Sequence, residues 1–421
     1  MQPRVSYRLV SDPAEFAEAA RALQAGYGPF AVDTERASSF RYDDRAFLVQ
    51  VYRRGAGTFL IAPEGHRRRI REIFAPVMSG AEWIIHAAGE DLRSLAKLGL
   101  VPGSLFDTEL ASRMAGFDRP NLGAMVEHFI GVELEKGHGH EDWSASPLPS
   151  EWQDYAALDV VYLNDLAEAL TEQLDAAGKL GYATQEFDHL ITTHALSAPA
   201  EKTWREVKGV SAVRTPSGMQ LAKELWRERD AVSRRTDTSP GRVLSNKAIV
   251  DIARAQPGNP TELARAAGRQ RLSTGEAKRW QQVVDKALAA DESTWPHRAT
   301  RPASTPPSKS VWERIAPESW EMLQFARSSV SETARELQMQ PEILLAPATL
   351  RQVVWKAPIT PGGGATAAWD THATALQLRN AGARPWQVDF TAPLLADAYA
   401  HATNDAAPER AESVRRPRRK R

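Results

Sequence analysis

The sequence contains no cysteine. That excludes disulfides, thiolate metal sites and cysteine nucleophiles, and it leaves the redox compartment open. No apolar run reaches the roughly 20 residues of a membrane span, so no membrane partner is expected. The first residues, Met1-Gln2-Pro3-Arg4-Val5, lack the apolar stretch of a secretory signal, and a cytoplasmic location is the expectation. Gly362-Gly363-Gly364 has no Lys-Ser or Lys-Thr after it, so it is not a P-loop and no small-molecule cofactor is expected. Net charge is missing too: 53 Lys and Arg balance 53 Asp and Glu. The balance hides an asymmetry. Residues 1–200 carry 18 Lys and Arg against 29 Asp and Glu, and the remainder carries 35 against 24. An acidic half able to hold cations, followed by a basic half, suits an enzyme acting on a polyanion; two unrelated solvated surfaces is the plainer account. At 421 residues the chain exceeds one compact core, and two or three domains are expected.

What the first half does contain is Phe30-Ala31-Val32-Asp33-Thr34-Glu35, an apolar run ending in two acids spaced i and i+2. In a β-strand those side chains share a face, roughly 6–7 Å apart. Neighbouring carboxylates repel, and ionising both is costly unless a cation lies between them. A hard divalent ion meets that need with oxygen ligands. A strand ending in a solvated acidic turn would look the same, so the pair alone decides nothing.

Around it the pattern alternates strands and helices. Tyr7 to Val10 reads as a strand, and Ser11-Asp12-Pro13 as the cap of a helix stopping near Gly26. Phe47–Tyr52 and Gly57–Ile61 flank Arg53-Arg54-Gly55-Ala56 and predict an antiparallel hairpin. A helix over 66–78 carries Arg67-Arg68-Arg69 and Arg71, which read as a solvated face ahead of an RNA contact. Glu82 to His86 is a further strand, followed by a helix with Asp91 in its first turn. A lone acid there is more often a cap than a ligand. Asp107 reads as an N-cap, and His138 and His140 as solvated loop histidines without partner ligands. A long helix from about Ser150 through Leu163 puts Tyr155 and Asp159, i and i+4, on one face. A phenol and a carboxylate on an otherwise apolar stripe require a reason for their burial; a salt-bridged Asp beneath a half-buried Tyr is the alternative.

Three groups of residues then occur in a telling order. They are Asp33-Thr34-Glu35 with Ala46-Phe47-Leu48-Val49-Gln50, His86 followed by Asp91-Leu92 and Leu95, and Asp142-Trp143-Ser144 with Pro147-Leu148 ahead of Tyr155-Ala156-Ala157-Leu158-Asp159-Val160-Val161-Tyr162-Leu163. Together they resemble the DEDDy branch of the 3′–5′ exonuclease superfamily, and the ribonuclease D family in particular, over about residues 1–180. The resemblance implies a ribonuclease H-like α/β domain, a mixed sheet with flanking helices. It implies that Asp33, Glu35, Asp91 and Asp159 bind two divalent metal ions, Mg²⁺ or Mn²⁺, and that Tyr155 orients the attacking water. Glu35 would also hold the terminal 3′-OH. Two metals about 4 Å apart activate water and stabilise the entering and leaving oxygens of an in-line displacement. The chain departs from the family at Glu141, where Ser or Thr is frequent, and at Ser146, where Arg is frequent; both bear on substrate preference.

After about Trp204 the periodicity is helical throughout. Trp204 with Lys208-Gly209, Leu225, Arg229-Asp230, Pro240-Gly241-Arg242-Val243-Leu244, Ile252-Ala253 and Pro257 resemble the helicase-and-ribonuclease-D C-terminal (HRDC) bundle. Residues 201–290 hold 18 Lys and Arg against 10 Asp and Glu, an excess that suits a phosphate backbone; a bundle that only packs on the nuclease is the alternative. The expected organisation is an exonuclease domain over 1–195, a first HRDC domain over 201–290, a Pro-rich linker over 291–310, a second HRDC-like domain over 311–402 and a basic tail over 403–421. The second bundle rests on a repeat: Pro240, Val243, Leu244, Ile249, Ile252, Ala253 and Pro257 match Pro341, Leu344, Leu345, Leu350, Val353, Val354 and Pro358 at a constant offset of 101. The expected function is 3′–5′ exoribonuclease activity releasing nucleoside 5′-monophosphates, with structured RNAs bearing 3′ tails, tRNA precursors among them, as partners. A DNA 3′–5′ exonuclease of repair and a catalytically inactive nucleic-acid scaffold are the rivals. The oligomeric state is left open.

Overall fold

The computed structural model describes residues 5–134, 137, 139–198, 201–298, 302–359 and 368–404. His138, the Gly362-Gly363-Gly364 run and the basic tail over 403–421, apart from its first two residues, lie outside them.

The first half alternates as its periodicity predicts. In chain order it forms β1 (Tyr7–Val10), α1 (Pro13–Ala25), β2 (Tyr27–Arg36), β3 (Ala46–Arg54), β4 (Gly57–Ile61), α2 (Arg67–Met78), β5 (Glu82–Ile85), α3 (Gly89–Lys97), β6 (Ser104–Asp107), α4 (Thr108–Met114), α5 (Leu122–Ile130), α6 (Ser150–Val161), α7 (Leu163–Ala176) and α8 (Leu180–Leu190). A turn of π-helix, Ile191–Leu196, ends it. The six strands form one mixed sheet in the order β1-β4-β3-β2-β5-β6. β2–β3 and β3–β4 are antiparallel, whereas β1 pairs β4, β2 pairs β5 and β5 pairs β6 in parallel. Side chains alternate across a strand. Val32, Val49 and Val51 therefore face one layer with Leu92 and Leu95 of α3 and Phe16 of α1. Leu48 faces the other, with Ala156 and Ala157 of α6. Ala31 of β2 shares that second face with Val160, Leu163 and Ala167.

The helix expected to run on through Leu163 ends at Val161. Tyr162 closes α6 and α7 starts at Leu163. The break has a packing cause. α6 buries Ala156 and Ala157 against β3 and β4, while α7 buries Leu166, Leu170 and Leu174 in the larger core; one straight helix would not reach both. The arginine run of α2 lies on a helix face: Arg67 pairs with Glu64 and Arg68 with Glu72.

The second half is helical. α9 (Pro216–Thr236), α10 (Pro240–Val243), α11 (Asn246–Ala255), α12 (Pro260–Ala266) and α13 (Thr274–Leu288) enclose a core of their own around Leu221, Leu225, Ile249, Ile252 and Trp280. α14 (Lys309–Ile315), α15 (Pro317–Glu336), α16 (Pro341–Leu344), α17 (Pro347–Trp355), α18 (Thr371–Asn380) and α19 (Pro385–Asn404) follow. The offset of 101 carries over to the elements: α9, α10 and α11 begin at Pro216, Pro240 and Asn246, and α15, α16 and α17 at Pro317, Pro341 and Pro347. The two bundles differ in one respect that sequence did not reveal. The apolar core of the second is continuous with that of the sheet domain, from Val32 through Phe187 to Leu395.

Candidate metal-binding and active site

Asp33 and Glu35 come from the end of β2, on the face that α6 covers. α6 presents Asp159 toward them one turn after Tyr155. Asp33, Glu35 and Asp159 each offer a carboxylate oxygen within 4.8 Å of the others, and all three are partly buried. Among the described residues this is the group of three acids or histidines that converges; His140 takes no part in it. Tyr155 hydrogen-bonds Asp159 from the preceding turn.

Asp91 reaches the site from the opposite layer. Thr34, between the two acids of β2, necessarily faces that layer, and its Oγ1 donates to Asp91 Oδ1 at 2.5 Å. Ser94 Oγ lies 3.0 Å from the same hydroxyl and donates to the Asp91 carbonyl at 3.0 Å. Asp91 is buried and stands outside the tight group of three, yet its charge bears on all of them. The turn that delivers it is built by Asp107. This buried carboxylate accepts from Ala87 N at 3.1 Å and Ala88 N at 2.8 Å, and also caps α4 through Glu109 N and Leu110 N. Ala87 sits there at φ 62°, a left-handed conformation costly for a residue with a Cβ; the Asp107 bonds hold it in place. His86, just before the turn, is pushed down to about 4 by burial and stays neutral, its Nδ1 2.9 Å from Thr108 Oγ1.

Burial and mutual repulsion make the ionised cluster costly. Burial, then the charges of Asp91, Asp159 and Glu35, hold the Asp33 carboxyl well above the usual range. Burial, with Asp159 and Asp91 adding to it and Arg36 opposing, pushes Glu35 up to about 9. Asp159 rises to about 7 through burial, with the Tyr155 hydrogen bond opposing. Asp91 rises to about 6 by burial, with the Thr34 hydroxyl and Arg36 opposing. The phenol of Tyr155 is driven far above its usual value, first by burial and then by Asp159, Glu35 and Asp33, so it keeps its proton. Four carboxylates in this state, with no His or Lys among them, form an oxygen-only donor set that fits a hard divalent cation.

Gln50 is a polar residue in the otherwise apolar run Ala46-Phe47-Leu48-Val49-Gln50-Val51. In the β2–β3 register Gln50 stands opposite Asp33, and its Nε2 donates to Asp33 Oδ2 at 3.3 Å. Its buried Oε1 has no protein partner. That register belongs to the β2–β3 pair and not to the hairpin around Arg53–Ala56, so it was not legible in the sequence. The bond of Thr34 had no sequence signal, because it crosses 57 residues to another layer. Asp142-Trp143-Ser144 anchors the approach to α6: Trp143 is buried beside Trp152, ring centroids 5.4 Å apart, and Ser144 Oγ joins Asp142 and Arg41.

Three family models match the chain in order. One for 3′–5′ exonucleases covers residues 7–175, the HRDC domain covers 218–273, and a 3′ to 5′ exonuclease C-terminal domain covers 305–399. The chain is 31% identical to a ribonuclease D of Gluconacetobacter diazotrophicus over 209 residues, 49% of this chain and 52% of that protein. It is 32% identical to one of Nitrobacter hamburgensis over 185 residues, 43% and 47% of the two. The chain thus spans about half the length of the curated relatives it matches. A crystal structure of a protein from Bifidobacterium adolescentis superposes with a TM-score of 0.80 at 31% identity, covering 94% of this chain and 97% of that one. Escherichia coli ribonuclease D shares the fold, with a TM-score of 0.66 at 23% identity over 89% of this chain and 98% of that one. With the acidic cluster at the end of β2 and these matches in register along its length, the chain belongs to the ribonuclease D family.

Proposed function

We propose that the chain is a metal-dependent 3′–5′ exoribonuclease that releases nucleoside 5′-monophosphates from the 3′ ends of RNA. The observation that carries the reading is the convergence of Asp33, Glu35 and Asp159 within 4.8 Å, with Asp91 held beside them by Thr34. These four acids would hold two divalent ions, Mg²⁺ or Mn²⁺. Such ions supply activation of water and neutralisation of charge on both oxygens of an in-line displacement at phosphorus.

The chain's own residues account for the rest of the chemistry. Tyr155 keeps its proton beside Asp159, so it orients the attacking water as a hydrogen-bond donor. Glu35, at the open end of β2, accepts from the terminal 3′-OH and thereby selects the end of a chain over its interior. The bond between phosphorus and the leaving O3′ breaks, and the shortened RNA carries away a new 3′-OH. The first bundle, whose residues 201–290 carry 18 Lys and Arg against 10 Asp and Glu, holds the body of a structured RNA while its 3′ tail reaches the acids. tRNA precursors with short single-stranded tails are the substrate class this arrangement suits.

A 5′-labelled RNA hairpin bearing a 3′ tail, and its DNA equivalent, incubated with and without Mg²⁺ or Mn²⁺, test the reading. A metal-dependent ladder shortening the RNA alone is the expected result. A ladder on both would give the activity to DNA as well. Tight binding with no ladder under any divalent ion would leave a scaffold.

A further inference from the structure

A cleft of about 500 Å³ opens on α9 between Trp226, Arg227, Asp230, Arg234 and Arg235. Helical spacing gathers these residues: Trp226 and Asp230 are i and i+4, and Arg227 and Arg234 lie two turns apart. Trp226 is partly buried, packed against the bundle core on one side and lining the cleft on the other. Arg227 and Arg234 keep 61% and 70% of their side-chain surface open to solvent. Asp230, the acid in the wall, is committed: it accepts from the Tyr42 hydroxyl at 2.8 Å and from Arg234 at 3.1 Å. The cleft therefore offers an aromatic face among three guanidinium groups, of which Arg234 neutralises Asp230 and Arg227 meets Glu224 at 3.3 Å while both stay largely open to solvent.

Its position matters as much as its chemistry. Tyr42 belongs to the β2–β3 connection, seven residues beyond Glu35, and Arg234 donates to its hydroxyl at 3.0 Å. Seven extended residues reach about 25 Å at most, a span that a few nucleotides cover. We propose that this cleft binds the single-stranded segment of RNA that lies more than three nucleotides upstream of the 3′ end, with a base against Trp226 and phosphates at Arg227, Arg234 and Arg235. An aromatic ring among cations fits an unpaired strand, whose bases are free to stack; in a duplex the bases are stacked on one another and leave Trp226 without a partner. The assignment rests on the exoribonuclease reading and adds to it the place where the tail is gripped before it reaches the acids.

The test uses the full chain in EDTA, with fluorescence anisotropy of a labelled ten-nucleotide RNA and of a blunt ten-base-pair duplex. Trp226→Leu is expected to weaken the single strand roughly tenfold, through the loss of one stacked base. It should leave the duplex unchanged, and Trp226→Phe should recover most of the loss. Arg235→Gln should lower the salt slope for the single strand by about 0.7. In turnover with Mg²⁺, Trp226→Leu should raise KM for the ten-mer and leave a trinucleotide unaffected. Wild-type affinity for the single strand in both Trp226→Leu and Arg235→Gln overturns the proposal, as does an equal loss on the duplex. If Trp226→Leu fails to fold, Trp226→Phe and Arg235→Gln carry the decision. A wild-type chain that grips the single strand this way but releases no nucleotide under any divalent ion sinks the exoribonuclease reading and leaves the cleft standing.

Discussion

Arg45 grips Asp237 with two parallel hydrogen bonds, Nη1 to Oδ1 at 2.9 Å and Nη2 to Oδ2 at 2.7 Å. The pair joins the connection that follows the β2 acids to the end of α9, where Asp237 closes the helix in the left-handed region at φ 46°. Asp237 also meets Arg41 and the Tyr42 N–H, and Arg242 donates to the Ser39 carbonyl at 2.8 Å. The first bundle is thereby fastened to the segment running from Glu35 to Gln50. Asp237→Ala removes three of these attachments at once. An ion-pair network of this exposure stabilises by about 1 kcal/mol, a roughly fivefold shift in the equilibrium of the docked loop, so single-turnover cleavage of a trinucleotide should slow by up to about that factor. Restoration by the double exchange Arg45→Asp with Asp237→Arg would assign the effect to the pair. An unchanged rate in Asp237→Ala would mean that the loop holds itself.

Asp33→Asn and Asp159→Asn should abolish nucleotide release while RNA still binds in Ca²⁺. Each also removes one charge from a cluster in which burial and repulsion oppose ionisation. The metal-free variants should therefore melt at a higher temperature than the wild type at pH 8, and gain less from added Mg²⁺. Wild-type turnover by either would remove that residue from the site.

The same charges set a pH dependence with a definite sign. Glu35 and Asp159, pushed up to about 9 and about 7 by burial, bind more protons folded than unfolded above pH 5. Their contribution is complete at low pH and is lost as pH rises through the folded values. Without metal, the melting temperature should fall between pH 6 and pH 9, and a divalent cation should oppose the fall most strongly at the alkaline end. Melting curves in EDTA and in Mg²⁺ across that range measure it. A metal-free curve that is flat or rises would contradict the crowding of the four acids.

Thr34→Val keeps the shape of the side chain and removes the donor to Asp91. A partner that orients a metal ligand is typically worth about ten- to a hundredfold in affinity. Calorimetric titration with Mn²⁺ should show a loss in that range with the fold retained. Affinity equal to the wild type would confine Thr34 to packing.

What could be read from the sequence follows the range of the interactions. Asp33 and Glu35 share a face because a strand has period two, and Tyr155 and Asp159 because a helix turns every 3.6 residues; both are local rules. The offset of 101 that aligns Pro240 with Pro341 is likewise visible in the chain alone. Thr34 with Asp91, Arg45 with Asp237 and Lys179 with the Gln338 carbonyl join residues 57, 192 and 159 positions apart. No periodicity reports such pairs. The break at Tyr162 was hidden for the same reason: both flanking segments are good helix, and only the layers they pack on separate them.

The two bundles look alike in sequence but differ in what they support, and that difference is testable. Leu225 and Trp280 of the first belong to a core of its own. Trp386 of the second stacks on Tyr182 of α8, ring centroids 5.1 Å apart, and donates its Nε1 hydrogen to Glu186 at 2.8 Å. Arg384 Nε donates to the same carboxylate at 2.7 Å, and Lys179 bridges the Met114 and Gln338 carbonyls at 2.9 and 3.1 Å. Trp386→Ala should open a cavity in the shared core and leave Glu186 with one donor fewer, costing roughly 3–5 kcal/mol. Because that core includes Val32 and Leu92, melting of the sheet domain and loss of nuclease activity should coincide. Trp280→Ala should damage the first bundle and spare the sheet domain, giving two separate transitions by calorimetry. One shared transition in both variants would show that the first bundle, too, unfolds only with the rest.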